Sequence, residues 1–167
     1  MPVSEIHHAA VIVSDLDRST EFYAKALGWK PTLSARVGGE VVERGLGLPP
    51  GVTGRIQYMQ GPSQLGQIEL IEWSDGPGPQ PRTGHRELGT FLLSFQVPRS
   101  EIRETYERVV ALGAEVLSEP VTSLLENYGP VDAFCFKDPD GNLLEIVGLP
   151  SREEIQEFRA RTRRKED

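Results

Sequence analysis

Hydrophobic positions near the start of the chain change from a strand pattern to a helix pattern. Residues 6–13 read Ile-His-His-Ala-Ala-Val-Ile-Val, a short run with β-branched side chains that is typical of a strand. In residues 16–27 the apolar side chains recur at steps of three and four, after Asp15 or Asp17 as a capping residue. Gly28 can adopt the left-handed backbone conformation that ends a helix. The pattern predicts a strand followed by an amphipathic helix of about three turns.

Gly and Pro interrupt the next segment, and short apolar runs lie between them. The runs at residues 41–42 and 56–59 are predicted to form short strands separated by loops. Residues 67–73 read Gln-Ile-Glu-Leu-Ile-Glu-Trp, which alternates as a strand does and places Gln67 and Glu69 on one side. We therefore expect three strands after the helix.

Turn-forming residues divide the chain in the middle. The dense Gly and Pro of residues 74–84 suit neither a helix nor a strand. We place a linker at residues 75–87, between a first module at residues 1–74 and a second at residues 88–149. Residues 150–167 are expected to form a C-terminal helix and tail.

The second module repeats the order of elements in the first. Residues 90–97 are predicted to form a strand. A helix is expected to follow, with Ser100 as its N-cap and Gly113 at its end. Residues 115–117 are predicted to form another strand. Residues 131–147 predict a hairpin, because Asp-Gly is a strong turn signal between two apolar runs.

An internal duplication explains this repeated order. Each half reads as a strand, a helix and three strands, and Glu69 and Glu145 occupy the same place in the closing strands. The period is too long for a solenoid. Both halves are therefore expected to present an acid at an equivalent position.

Composition narrows the classes of function. The 167 residues carry 18 Lys and Arg against 25 Asp and Glu, and the net charge of −7 argues against a nucleic-acid binder. The single cysteine, Cys135, allows neither an intrachain disulfide nor a cysteine-rich metal cluster. There is no apolar run of about 18 residues and no signal-peptide pattern at the N-terminus. We expect a cytoplasmic protein with a small-molecule partner and no membrane contact.

Three motif stretches resemble the vicinal oxygen chelate superfamily, the glyoxalase, bleomycin resistance protein and extradiol dioxygenase fold. They are residues 6–28, the run Gly-Gln-Ile-Glu-Leu at 66–70, and Phe-Lys-Asp-Pro-Asp-Gly-Asn-Leu-Leu-Glu-Ile at 136–146. The last is the most specific, and the resemblance covers about residues 5–148. It implies an α+β fold, with two βαβββ modules forming a cleft or half-barrel, and a homodimer.

The resemblance also implies a metal site. The superfamily takes one ligand from the first and last strand of each module, which carries over to His8, Glu69 and Glu145. The fourth ligand, usually a second His, falls on Leu92, which cannot coordinate an ion. The implied cofactor is one divalent metal ion, Zn²⁺, Ni²⁺, Mn²⁺ or Fe²⁺, for which imidazole and carboxylates are suitable ligands.

Further side chains are expected near these ligands. By strand alternation His7 points away from His8 and is structural, and His85 is a polar residue of the linker. Cys135 is most simply a buried small apolar side chain. The expected substrate-binding residues are Gln67, Tyr58, Leu92, Ser94, Gln96 and Tyr128.

The resemblance implies a lyase or isomerase of the glyoxalase and methylmalonyl-CoA epimerase type. Such an enzyme transfers a proton through an enediolate-like intermediate, with the metal as Lewis acid and Glu145 or Glu69 as the base. Dioxygenase chemistry is disfavoured because the site has one His and two carboxylates. Two alternatives stay open: a metal-free binding or resistance protein for an apolar natural product, which Leu92 favours, and a metal-independent tailoring enzyme.

Overall fold

The computed structural model describes residues 6–63, 65–78, 89–90, 92–126 and 128–166. The chain divides into two compact units, Met1–Pro81 and Arg82–Asp167. Each unit is an α+β module with one four-stranded mixed sheet. The predicted α+β fold of two βαβββ modules with a C-terminal helix is confirmed.

The first unit forms a sheet in the order β1-β4-β3-β2. Its first and last strands, β1 and β4, run parallel, and the remaining pairs are antiparallel. The elements are β1 (His8–Ile12), α1 (Leu16–Leu27), β2 (Lys30–Gly38), α2 (Glu40–Leu46), β3 (Thr53–Gln60) and β4 (Gln67–Trp73).

Helix α1 covers one face of this sheet. The Asp15 side chain accepts a hydrogen bond from the Arg18 backbone N–H and caps the helix, and Gly28 ends it at φ 69°. Tyr23 is fully buried on the inner side of the helix, and Ile68 and Leu70 of β4 are equally buried. The opposite face of β4 therefore carries Gln67 and Glu69, whereas Glu72 lies on the side of Ile68 and Leu70.

The second unit repeats the arrangement, with a sheet in the order β5-β8-β7-β6 and a parallel β5–β8 pair. The elements are β5 (Leu93–Pro98), α3 (Ile102–Ala111), β6 (Val121–Leu125), β7 (Gly129–Lys137), β8 (Leu143–Leu149) and α4 (Arg152–Glu166). A 3₁₀ turn at Arg99–Glu101 joins β5 to α3.

The core of the second unit lies between its sheet and α3. Phe134 and Phe136 of β7 are buried, and the Tyr106 ring meets the Phe134 ring edge-on at 5.3 Å between centroids. Gly148 allows close approach of β8 to α3, because a Cβ there would lie 3.1 Å from the Ile102 Cβ. The core thus fixes one face of β8 and leaves the other for Glu145.

Helix α4 begins with a capping box. The Ser151 hydroxyl accepts from the Glu154 backbone N–H at 3.2 Å, and the Glu154 carboxylate accepts from the Ser151 N–H at 2.7 Å. The expected terminal helix is present. Among the residues that the structure describes, no helix has the length and apolar character needed to cross a membrane.

Three local predictions were wrong. Val41 and Val42 lie in α2, where Val41 is 86% exposed, instead of in a strand. Residues 115–117 contribute only an isolated bridge between Val116 and Phe136, and β6 is the strand that completes the sheet. Ser100 lies within the 3₁₀ turn and does not cap α3, whose N-cap residue is Glu101 without a side-chain hydrogen bond.

Candidate functional site

Three strands of the first unit place His8, Tyr58 and Glu69 on one sheet face. Glu69 lies beside Ala10 in the parallel β1–β4 pair and opposite Tyr58 in the antiparallel β3–β4 pair. His8 is two residues before Ala10 and so faces the same way. This is the face that α1 leaves uncovered.

His8 and Glu69 contact each other through their polar side-chain atoms on this face. The His8 Nε2 atom lies 3.2 Å from the Glu69 Oε2 atom. The carboxylate side chain is only 13% exposed, whereas the imidazole is 34% exposed. Burying a carboxylate without a hydrogen-bond or charge partner costs free energy. The imidazole N–H or a cation can act as the partner of Glu69.

Tyr58 contacts both members of the pair. Its ring meets the His8 ring edge-on at 5.4 Å between centroids. Burial raises the pKa of the Tyr58 phenol, and the charge of Glu69 and a hydrogen bond to that carboxylate raise it further. The phenol therefore stays protonated and donates to Glu69.

His7 also belongs to this cluster, although the sequence placed it on the opposite side from His8. The two Nδ1 atoms lie 2.8 Å apart, and the rings are nearly perpendicular. The prediction was wrong because β1 begins at His8, so strand alternation does not extend to His7. The adjacent pair of histidines was the only signal in the sequence.

The second unit places Glu145 on the equivalent face. Glu145 lies beside Ser94 in the parallel β5–β8 pair and opposite Cys135 in the β7–β8 pair. The Ser94 hydroxyl donates to the Glu145 Oε2 atom at 2.7 Å. Burial raises the pKa of the Cys135 thiol, as does the neighbouring Glu145 charge, so the thiol is kept neutral and weakly nucleophilic.

The strand registers define which positions of the two units correspond. Ala10 pairs with Glu69 and Ser94 pairs with Glu145, so these two pairs are equivalent. Two residues earlier, the first unit has His8 and the second has Leu92. The second unit therefore carries an apolar residue at the sequence position that corresponds to His8, one residue before β5 begins.

The other predicted site residues lie at several places in the two units. Gln67 is the strand neighbour of His8, and Gln96 lies beside Val147. Tyr128 follows β6, where its backbone N–H donates to the Leu125 carbonyl at 3.1 Å. His85 lies outside the described residues. Within the described part of the chain, no three His, Cys, Asp or Glu side chains are grouped as a metal site.

Comparison with known proteins identifies a family over most of the chain. Residues 5–146 match the family model described as the glyoxalase/bleomycin resistance protein/dioxygenase superfamily. No curated protein sequence matches the chain.

Several solved structures are similar to this chain. A glyoxalase family protein from Bacillus cereus is 24% identical with a TM-score of 0.76, and the match covers 90% of this chain and 97% of that one. A glyoxylase/bleomycin resistance protein/dioxygenase domain from Frankia sp. is 24% identical with a TM-score of 0.61, covering 91% and 95%. The fosfomycin resistance protein FosX from Listeria monocytogenes, complexed with Mn(II) and sulfate, is 21% identical with a TM-score of 0.57, covering 92% and 98%. At these identities the likeness establishes the fold.

Proposed function

Because the chain belongs to the glyoxalase/bleomycin resistance protein/dioxygenase superfamily, we propose that it is a small-molecule enzyme of the glyoxalase and epimerase type. The observation that carries this proposal is the His8–Glu69 contact of 3.2 Å on the uncovered sheet face. Glu145 supports it, because the strand registers give this carboxylate the place of Glu69 in the second unit. We further propose that the protein acts as a homodimer, which sedimentation analysis tests.

The proposed ligands of a divalent metal ion are His8, Glu69 and Glu145. One imidazole and two carboxylates are a donor set that fits Zn²⁺, Ni²⁺, Mn²⁺ or Fe²⁺. The Mn(II) in the similar FosX structure supports the proposal of a divalent ion. A divalent ion, when bound, supplies Lewis-acid polarisation of substrate oxygen atoms.

In this proposal the side chains of the site move and hold the proton. Glu69 already accepts from His8 and from the Tyr58 phenol, which favours a binding role for this carboxylate. Ser94 engages only the Oε2 atom of Glu145, so the Oε1 atom is the one assigned to take a proton from a substrate carbon. With a 2-hydroxy ketone or a hemithioacetal, Glu145 then returns the proton to the neighbouring carbon while the hydroxyl proton moves to the former carbonyl oxygen; with a 2-methylmalonyl thioester, the proton returns to the carbon that lost it. A positioned base of this kind contributes about 10²- to 10⁴-fold to the rate.

Leu92 favours a second candidate function. An apolar side chain at the position equivalent to His8 suits a protein that binds an apolar natural product without a metal ion. Burial of such a ligand against one leucine contributes about 1.5–3 kcal/mol. This alternative gives no role to the His8–Glu69 pair, which is why the enzyme is preferred.

Deuterium exchange tests the proposed enzyme. The wild-type protein is loaded in turn with Zn²⁺, Ni²⁺, Mn²⁺ and Fe²⁺. Each form is incubated in D₂O with 2-hydroxy ketones, hemithioacetals and 2-methylmalonyl thioesters. Mass spectrometry measures the exchange of the substrate C–H for deuterium. We expect deuterium exchange with at least one combination of ion and substrate. Glu145→Gln should reduce the exchange rate about 100-fold or more. Glu107→Gln, at an exposed position of α3, is the matched control.

Two results would contradict the enzyme. One is the absence of exchange across the whole panel, and the other is exchange that Glu145→Gln leaves unchanged. Binding of apolar compounds by metal-free protein, combined with no exchange, would establish the alternative function.

A further inference from the structure

The contact between His7 and His8 needs one shared proton. Their Nδ1 atoms lie 2.8 Å apart. A neutral imidazole has one N–H donor and one acceptor nitrogen, so one of these Nδ1 atoms donates and the other accepts. The protonated nitrogen of each ring is therefore set by the other ring.

The second nitrogen of His8 faces the proposed metal site. Its Nε2 atom lies 3.2 Å from the Glu69 Oε2 atom. An imidazole binds a cation through a nitrogen lone pair, so a His8 ligand must carry its proton on Nδ1. The structure places the Nδ1 atom of His7 where it can accept that proton.

We propose that His7 is a positioning residue, which determines through its Nδ1 atom which nitrogen of His8 is available to a divalent cation. This inference rests on the proposed function, because it concerns the same His8 ligand. The Tyr58 ring supports the arrangement by meeting the His8 ring at 5.4 Å and the His7 ring at 6.5 Å. Partners of this kind typically change metal affinity 10- to 100-fold.

His7 is hydrogen-bonded to His8 both in the metal-free protein and when the cation is bound. In the metal-free protein the His8 Nε2–H donates to Glu69, and the His7 Nδ1–H donates to the His8 Nδ1 atom. With the cation present the direction reverses, and His8 donates to His7. Either His or the amide of Asn can both donate and accept in this way, whereas Phe can do neither.

Two substitutions of the exposed His7 separate hydrogen bonding from ring packing. His7→Phe keeps an aromatic ring but removes both ring nitrogens. His7→Asn removes the ring but keeps one hydrogen-bond donor group and one acceptor. Calorimetry with Zn²⁺ measures the affinity of each variant. We expect binding about 10- to 100-fold weaker in His7→Phe and within about threefold of wild type in His7→Asn. Equal affinity of His7→Phe and wild type would overturn the inference.

Nitrogen-15 NMR of the imidazoles in metal-free protein provides a readout that needs no metal binding. We expect His7 in the Nδ1–H form and His8 in the Nε2–H form, with His8 changing to the Nδ1–H form after Zn²⁺ is added. His7 in the Nε2–H form in the metal-free protein would overturn the inference. Absence of Zn²⁺ binding by wild type would refute the proposed ligands, and the metal-free spectra would still decide whether the two rings share a proton.

Discussion

Leu92 is a residue at which the two units differ in chemistry. The registers of β1–β4 and β5–β8 make it the counterpart of His8, yet its side chain has no lone pair to donate. At the proposed metal site, a leucine in place of a histidine would lower the attraction for a cation, and its apolar surface would favour a carbon-rich ligand.

Leu92→His is expected to restore a donor to the second unit. If His8, Glu69 and Glu145 hold an ion, an added imidazole should raise divalent-metal affinity about tenfold or more, which corresponds to about 1.4 kcal/mol. Titration with Mn²⁺, followed by electron paramagnetic resonance, measures the change. The same substitution should weaken the binding of an apolar ligand.

Val110→His is the matched control for this experiment. It adds an imidazole at an exposed position of α3 in the same unit and should leave the Mn²⁺ affinity unchanged. An unchanged affinity in Leu92→His, with binding abolished in His8→Ala, would show that another residue completes the site.

Some of the cluster around the candidate ligands was visible in the sequence and some was not. Alternation in residues 67–73 placed Glu69 on the face opposite Ile68, as the structure does. The His7 contact was not predictable, because it depends on where β1 begins. The Ser94–Glu145 hydrogen bond joins residues 51 positions apart, so it follows only from the pairing of the strands.

At the scale of elements, Glu72 joins the start of α1 to the sheet. Its Oε2 atom accepts from the Leu16 backbone N–H at 2.9 Å and from the Arg55 guanidinium at 2.6 Å. The Leu16 N–H is the main cause of a lowered pKa of the Glu72 carboxyl, and Arg55 lowers it further. The carboxylate therefore stabilises the folded state.

Glu72→Gln should lower the free energy of unfolding at pH 7 by about 1–2 kcal/mol. Because the folded pKa lies below the unfolded value of about 4.3, the contribution is complete above pH 4.3 and disappears as the pH falls through the folded pKa. Urea denaturation between pH 7 and pH 3 measures the difference, which should shrink with acidification. Glu107→Gln should show no such difference, and a gap that stayed constant with pH would contradict this role of the carboxylate.

The elements that were missed or misassigned from the sequence have no cap and no hydrophobic periodicity that would mark them. β2 begins Lys-Pro-Thr, and Pro is tolerated there because β2 is the edge strand of its sheet. α2 follows Gly39 without a side-chain cap, which left Val41-Val42 to be interpreted as a strand. β6 is also an edge strand with every residue exposed, so no buried face marked it in the pattern. In contrast, α1, β4, β7, β8 and α4 have strong periodicity or caps and were predicted.

The whole molecule consists of two modules that repeat a topology but do not repeat the ligands. Both closing strands carry a glutamate at the same register position, whereas only the first opening strand carries the His. The first unit therefore carries two of the proposed donor residues, and the second unit carries one.

We expect one divalent ion per chain, because the second unit alone offers a single carboxylate at these positions. Elemental analysis of protein loaded with Mn²⁺ and then desalted measures the stoichiometry. His8→Ala in one unit and Glu145→Gln in the other should each reduce it. Two ions per chain, or a stoichiometry that only one of the two substitutions changes, would contradict the proposed ligand set.

The parallel pairing of the first and last strand in each unit also determines when the candidate residues meet during folding. His8 and Glu69 are 61 positions apart, and Ser94 and Glu145 are 51 apart, so the contacts form only after nearly a whole module has been synthesised. Closing such long loops slows folding compared with local pairing. On the ribosome, each module can assemble the sheet face that carries its candidate residues only when its final strand has emerged.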